Sequence, residues 1–484
     1  MPLPALRFIA FIIGVFLITL AVSMVIPMLT LLLYDRSDDL GAFVWSSLIV
    51  LCAGLVMVAR GAPGAPQLRA RDMYLLTTAS WVIVCAFAAL PMVFIRHISY
   101  TDAFFETMSG ITTTGSTVLT GLDNASPGLL VWRSLLHWLG GIGFIGMAVA
   151  ILPLLRVGGM RLFQTESSDW SDKVTPRSHV AAKMILIIYV GLTVLGTWAL
   201  WAAGMTPFEA INHSMALIST GGFPTSDASL GHWVQPAVHW VAVVIMILGS
   251  LPFTLYVATL RGHRRILLDD HQVRGFIGFL VFIWLTVGTW LCLHSDLSWW
   301  DAFRIVAVNV TSVVTTTGIA VGDYTLWGSF AIMLFFYLTF VGGCSGSTAG
   351  GLKIFRFQVA AALLVSSLKQ LIHPRATISK KYNGHPIDEE IVRSLLTFSF
   401  FFSVTIAVIA LGLSLIGLDW MTALSGAATA VCNVGPGLGT IIGPVGNFAS
   451  LPDAAKWLLT VGMLLGRLEI LTVLVLVSPA FWRF

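Results

Sequence analysis

The chain has 484 residues, 57% of them hydrophobic and only 10% charged, with a mean hydropathy of +0.89. A soluble globular protein carries about 25% charged residues, so this composition excludes a large soluble domain and indicates a polytopic membrane protein whose first partner is the lipid bilayer. The net charge of +4 is too small to suggest nucleic acid.

The apolar run Phe8 to Leu33 is too long for a signal-peptide core and has no A-x-A site, so it is expected to remain as a helix. Ten spanning helices are predicted: 7–33, 42–59, 72–95, 128–155, 179–204, 234–260, 272–293, 325–372, 388–417 and 452–481. Four runs between them are too short to span: 101–111, 207–218, 300–314 and 420–431. Each stops at a similar motif. The first is Thr112-Thr113-Thr114-Gly115 and the third is Thr315-Thr316-Thr317-Gly318, each behind an Asp-Ala-Phe start at Asp102 and Asp301. The looser copies are Ser219-Thr220-Gly221-Gly222-Phe223 and Cys432-Asn433-Val434-Gly435-Pro436. One copy alone reads as a helix ending on a C′ glycine. Four copies with the same flanks read as a repeated unit.

The expected fold is therefore an all-α polytopic membrane protein. A two-helix leader (1–65) precedes four tandem helix–re-entrant helix–loop–helix repeats around a pseudo-fourfold pore (66–165, 166–265, 266–375 and 376–484). The last helix of the third repeat contains Gly342-Gly343-Cys344-Ser345-Gly346-Ser347-Thr348-Ala349-Gly350-Gly351, a poor helix interior. It is expected to break in mid-membrane, where irregular backbone must be buried in protein or line a watery cavity.

Lysine and arginine crowd one set of loops, including Arg60, Arg69, Arg71, Arg156, Arg161, Lys173, Arg177, Arg261, Arg264, Arg265, Lys369, Arg375, Lys380 and Lys381. By the positive-inside rule that side is cytoplasmic, and both termini join it. All four short helices then enter from outside.

Several motifs mislead. Gly141-Ile142-Gly143-Phe144-Ile145-Gly146 has the dinucleotide spacing, but it lies inside a spanning helix with no strand before it. Close helix packing is the better reading. Gly346 to Gly351 has Walker spacing, but Leu352 stands in place of the lysine. Gly343-Cys344-Ser345-Gly346 has the form found around the nucleophile of intramembrane serine proteases, with His239 the only plausible base; this remote alternative leaves the repeats unused. The five cysteines are scattered, without metal-ligand spacing or a disulfide framework.

A dehydrated monovalent cation needs several oxygens, and four loops around an axis can offer rings of backbone carbonyls. The candidate selecting residues are Thr112, Thr113, Thr114 and Gly115; Thr220, Gly221 and Gly222; Thr316, Thr317 and Gly318; and Asn433, Val434 and Gly435. Each short helix also aims its negative C-terminal end inward. The candidate gate comprises Gly342, Gly343, Ser345, Gly346, Ser347, Thr348, Gly350 and Gly351, with Arg467. Arg467 lies deep in the last helix and needs an acceptor. Glu469 is off its face, so the loop's carbonyls, Ser345, Ser347 and Thr348 are the better candidates.

These motifs resemble the potassium-translocating membrane subunits of the Trk/Ktr/HKT superfamily over essentially the whole chain. Further matching pieces are Leu152 to Met160, Thr165 to Trp170 and Gly466-Arg467-Leu468-Glu469. The leading helix pair resembles the TrkH type. The resemblance implies K+ as the transported ion, no organic cofactor in this chain, a homodimer and a cytoplasmic TrkA-type regulatory ring that binds nucleotides. It also implies a bacterial inner membrane and a transporter rather than an enzyme. Two positions depart from the usual pattern: Ile319 after Gly318, and Pro224 after Gly222-Phe223. A symporter coupling K+ to H+ or Na+ is the alternative, since such proteins also use repeats and broken helices.

Overall fold

The computed structural model describes residues 3–61, 69–150, 178–375, 381–383 and 385–483. The motifs Leu152–Met160 and Thr165–Trp170 lie outside these, as do Arg156, Arg161, Lys173, Arg177 and Lys380. The described chain is almost wholly helical. This bears out the all-α expectation; the strand pairing among the described residues is a two-residue antiparallel ladder of Lys381–Tyr382 with His385–Pro386. Eight helices among the described residues are long and apolar enough to cross a membrane, or ten if each of two bent pairs is one span.

The leader packs through small residues. A Cβ on Gly14 would lie 2.8 Å from the carbonyl oxygen of Gly54, so helix Leu3–Ser23 meets helix Leu40–Arg60 backbone to backbone. The four short runs form helices Tyr100–Ile111, Pro207–Ile218, Trp299–Val314 and Trp420–Cys432. Each starts on a capping side chain. Ser99 accepts from the Asp102 N–H, Thr206 from Glu209, Ser298 from Asp301, and Asp419 from Met421 and Thr422. Asp102 and Asp301 thus sit in first turns, where carboxylates oppose the positive helix end. Asp102 also pairs with Lys456 at 2.5 Å, and Asp301 with Arg304 at 2.8 Å.

The helix after the first, second and fourth loops packs closely on the end of its own short helix. Cβ atoms on Gly140 and Gly466 would overlap the carbonyls of Ile111 and Val431, and one on Gly249 would lie 2.6 Å from that of Ile218. Within the dinucleotide-like run, Gly141 supplies such an approach, to Tyr189 and Ser219, whereas Gly143 and Gly146 have no neighbour within 4 Å of a Cβ among the described residues.

The third repeat's last helix breaks as expected, into Ser329–Leu338 and Ile354–Ile372. Two other helices, expected to be continuous over 234–260 and 452–481, are broken as well. Pro236–Gly249 and Phe253–Leu260 meet at 89°, and Asp453–Arg467 and Leu471–Val477 at 119°. Pro252 has no N–H for the helix ladder, and Glu469 adopts a left-handed φ of 58°. The backbone groups freed at the first break are taken up by the inserted loop. Cys344 N–H donates to Ser250 O at 3.0 Å, Phe253 N–H to Gly346 O at 3.0 Å, and Thr348 N–H to Gly249 O at 3.2 Å. Broken helices satisfied by a neighbouring segment are what a spanning structure requires.

Candidate functional site

The four short helices end alike. Thr114 N–H donates to Ser109 O and Thr113 N–H to Gly110 O; the same pair recurs as Gly221 to Ala216 with Thr220 to Leu217. It recurs again as Thr317 to Ser312 with Thr316 to Val313, and as Val434 to Thr429 with Asn433 to Ala430. This is the Schellman closure, but its left-handed residue is not the glycine. It is Thr113, Thr220, Thr316 or Asn433, with φ of 53°, 51°, 58° and 55°. A β-branched residue in that region is an outlier, and each such residue costs of order 1–3 kcal/mol. The motif glycine comes two residues later, again left-handed: Gly115, Gly222, Gly318 and Gly435 at 89°, 81°, 82° and 111°. Extended backbone alternates its carbonyls from side to side. Reversing the sign of φ at every second residue brings them toward one side, a geometry open to glycine at little cost.

The loops close on one another in chain order. A Cβ on Gly115 would run into the carbonyl of Gly221, one on Gly222 into that of Thr317, and one on Gly318 into that of Val434. One on Gly435 would lie 2.8 Å from that of Thr114. Each glycine faces the residue before the next loop's glycine, and the fourth returns to the first. The carbonyls of Thr114, Gly221, Thr317 and Val434 therefore ring one axis.

Side chains brace this ring. Thr112 and Thr114 share a hydrogen bond between hydroxyls at 2.7 Å, as Thr315 and Thr317 do at 2.8 Å. Ser116 Oγ donates to Gly435 O at 2.8 Å, and Asn433 Nδ2 donates to Thr114 Oγ1 at 3.0 Å and to Met463 O at 2.9 Å. Behind the first two loops lies a fully buried ion pair, Arg133 Nε to Glu106 Oε1 at 2.9 Å. Glu106 also accepts from Thr117 Oγ1 and the Val118 N–H, while Arg133 donates to Pro224 O and lies 4.1 Å over the Phe223 ring. Neither Arg133 nor Glu106 was singled out from the sequence. The available signal was an acid and a base inside apolar runs flanking one motif. Further from the ring, Asp227 accepts from the N–H groups of Gly121 and Leu122 and ties the first two loops together. Nearby, a Ser226 hydrogen bond, aided by the Asp227 N–H, holds the Asp123 carboxyl below the usual aspartate range.

The stretch 339–353 between Ser329–Leu338 and Ile354–Ile372 is irregular and largely buried. Gly342, Gly346 and Gly351 have φ of 72°, 73° and 72°. Ser345 N–H donates to Gln272 Oε1, and Ser347 Oγ donates to Cys344 O, so these two tie the loop to its surroundings and to itself. Gly343 packs on Ser250, and Gly350 on Cys432. Arg467, 1% exposed, donates one N–H to Thr348 O at 2.8 Å. Its guanidinium carbon lies 4.0 Å over the Phe144 ring, and its Nε and second terminal nitrogen have no hydrogen-bond partner among the described residues. Arg467 and Thr348 are thus brought together as expected. Glu469 pairs instead with Arg356, at 3.1 Å. Sequence reasoning passed over buried Lys353, which donates to Ala349 O and lies 5.1 Å from the same Phe144 ring. His239 is held by Leu230 O at 3.1 Å and Arg304 at 2.6 Å, so both its ring nitrogens are engaged away from Ser345.

A family model described as TrkH, a cation transport protein, matches residues 42–483. The chain is 52% identical over 476 residues to the Trk system potassium uptake protein TrkI of Halomonas elongata, covering 98% of this chain and 96% of that one. It is 35% identical over 489 residues to the Trk system potassium uptake protein TrkH of Escherichia coli, covering 99% of each. The crystal structure of the potassium transporter TrkH from Vibrio parahaemolyticus superposes with a TM-score of 0.90 at 36% identity, covering 99% of this chain and 100% of that one.

Proposed function

This chain belongs to the TrkH family of cation transport proteins, and from that premise we propose that it is the membrane subunit of a Trk-type potassium uptake system. It is a multi-pass membrane transport protein rather than an enzyme. K+ is the cargo. The four loops select it, with the carbonyls of Thr114, Gly221, Thr317 and Val434 replacing part of its water. The observation that carries this reading is the closed circle of glycine-to-carbonyl contacts. The segment 342–351, tethered by Arg467, acts as the gate.

The chain sits in a bacterial inner membrane with both termini in the cytoplasm, and works as a homodimer on a TrkA-type cytoplasmic ring that binds nucleotides. The excess of basic loops on one side supports that orientation. Part of the ring's docking face is the described ladder at Lys381 and Tyr382, where Tyr382 Oη donates to Gln358 Oε1 at 2.6 Å. That bond ties the ladder to helix Ile354–Ile372, which leads directly to the gate.

Transport is passive conduction rather than coupled symport. Reversal potentials of the purified protein in liposomes test this. A potential that follows the potassium gradient alone is the expected result. One that shifts with pH or sodium at fixed potassium assigns coupling to H+ or Na+ instead.

A further inference from the structure

The seat of the gate is built from residues of the ring itself. Gly350 N–H donates to Thr316 Oγ1 at 2.6 Å. Thr348 Oγ1 lies 3.2 Å from Thr220 Oγ1, 3.0 Å from Ile218 O and 2.8 Å from Gly249 O. A Cβ on Gly350 would lie 2.5 Å from Cys432 O and 3.0 Å from Asn433 Cβ. The segment 348–350 therefore touches the second, third and fourth loops, each at or beside its left-handed residue. A segment that touches three members of a closed ring from one side lies across its mouth. At the remaining position, the Thr113 hydroxyl is buried with no partner among the described residues.

We infer that seating of the 348–350 segment and occupancy of the innermost cation position exclude one another, and that Thr316 is the group they compete for. The inference rests on the reading of the four loops as the potassium path. A cation leaving the carbonyl ring inward next meets the side chains of Thr113, Thr220, Thr316 and Asn433. It can shed water there only if their oxygens are available. With the segment seated, a lone pair of Thr316 Oγ1 holds the Gly350 N–H, so the positive end of a peptide dipole points where the ion must sit. The buried charges of Arg467 and Lys353 stand behind it. An arriving ion must displace that N–H. Linkage makes the relation reciprocal: the seated segment weakens the innermost ion, and the ion favours release of the segment. The gate thus responds to its own cargo. A filled path holds it open, and an empty one lets it close.

The test is heat protection of the purified full-length protein titrated with K+ or Na+, alongside rubidium flux in liposomes. Gly350→Ala drives the segment from the fourth loop, and Thr348→Val removes the hydroxyl that holds it to the second. Both leave the ring oxygens in place. Each is expected to lower the K+ concentration for half-maximal protection by about fivefold or more. Adding Thr348→Val to Thr316→Val is expected to change it little, because the shared oxygen is gone. An unchanged half-maximal concentration in both loop variants, with flux raised, would overturn the coupling while sparing the potassium path. If K+ protects the parent no better than Na+, the potassium path itself fails and the coupling falls with it.

Discussion

Gly222 faces Thr317 so closely that a Cβ would overlap the Thr317 carbonyl oxygen outright. The overlap is greatest there, smaller for Gly318 against Val434, smaller again for Gly115 against Gly221, and least for Gly435 against Thr114, at 2.8 Å. Because φ is positive at all four, a side chain meets backbone strain as well as the neighbouring carbonyl. Serine substitutions are expected to raise sodium permeation relative to potassium in that order, with Gly222→Ser and Gly318→Ser worst. Relative permeabilities from reversal potentials in liposomes measure it. Unchanged discrimination in Gly115→Ser and Gly318→Ser, at normal expression, would remove the ring from selectivity.

Arg467 holds the segment 342–351 by one hydrogen bond, to Thr348 O, and the proposed gate rests on that contact and on its charge. A guanidinium at the centre of a spanning helix costs about 2.5–3.5 kcal/mol on insertion scales, so alanine there should insert readily. Arg467→Ala is expected to raise basal potassium flux severalfold without the cytoplasmic ring. Arg467→Gln separates the causes, since it keeps an N–H donor without the charge: flux near the parent's assigns the barrier to the bond with Thr348, and flux near alanine's assigns it to charge. A rate no faster than the parent's in Arg467→Ala, with normal insertion, places the gate elsewhere.

Glu106 and Arg133 are buried together behind the first two loops. Removing one partner leaves an uncompensated buried charge, which typically destabilises by about 3–5 kcal/mol. Glu106→Gln is expected to lower the thermal midpoint sharply and to loosen selectivity, since Thr117 and Val118 lose the carboxylate they donate to and Arg133, which holds Pro224 O, loses its counter-ion. Glu106→Gln combined with Arg133→Leu should recover part of the midpoint. If the double variant unfolds as readily as the single, packing rather than the lone charge is responsible.

Much of this was legible in advance because the chain repeats itself. Four apolar runs too short to span, each before a glycine motif, give the repeat and its loops, and glycine-rich 342–351 cannot remain helical. The breaks at 250–252 and 468–470 were not read. A Pro252 behind Gly249-Ser250 was a local signal, but an apolar stretch long enough to span conceals it, and at Glu469 the deciding partner is Arg356, more than a hundred residues away. The left-handed threonines were equally hidden. Propensity assigns such a φ to glycine, and only closure of the ring forces it onto Thr113, Thr220 and Thr316. Nothing local marks Lys353 as buried rather than as one more orienting charge.

The proposed docking face yields a separate expectation. Charge reversal at Arg177, Lys380 and Lys381 should weaken capture of a TrkA-type ring without altering membrane insertion. Tyr382→Phe cuts the bond to Gln358, and should leave capture intact while blunting the flux response to nucleotide. Undiminished capture by the reversed variant would exclude this face.

All four walls of the ring lie on one polypeptide. In an assembly of identical subunits a single codon change would alter every wall at once, and symmetry would forbid compromise. Here each wall can drift alone. Asn433 stands where three threonines stand elsewhere, and reaches sideways to both Thr114 and Met463. Gly221 replaces the threonine at its position in the first and third loops, where a Cβ would strike the His137 ring, 2.5 Å from Nδ1. Among the described residues, only the third quarter carries the inserted segment. The four sides of the ring therefore hold different contacts, and a lesion in any quarter should be read as damage to those contacts rather than to a quarter of a common one.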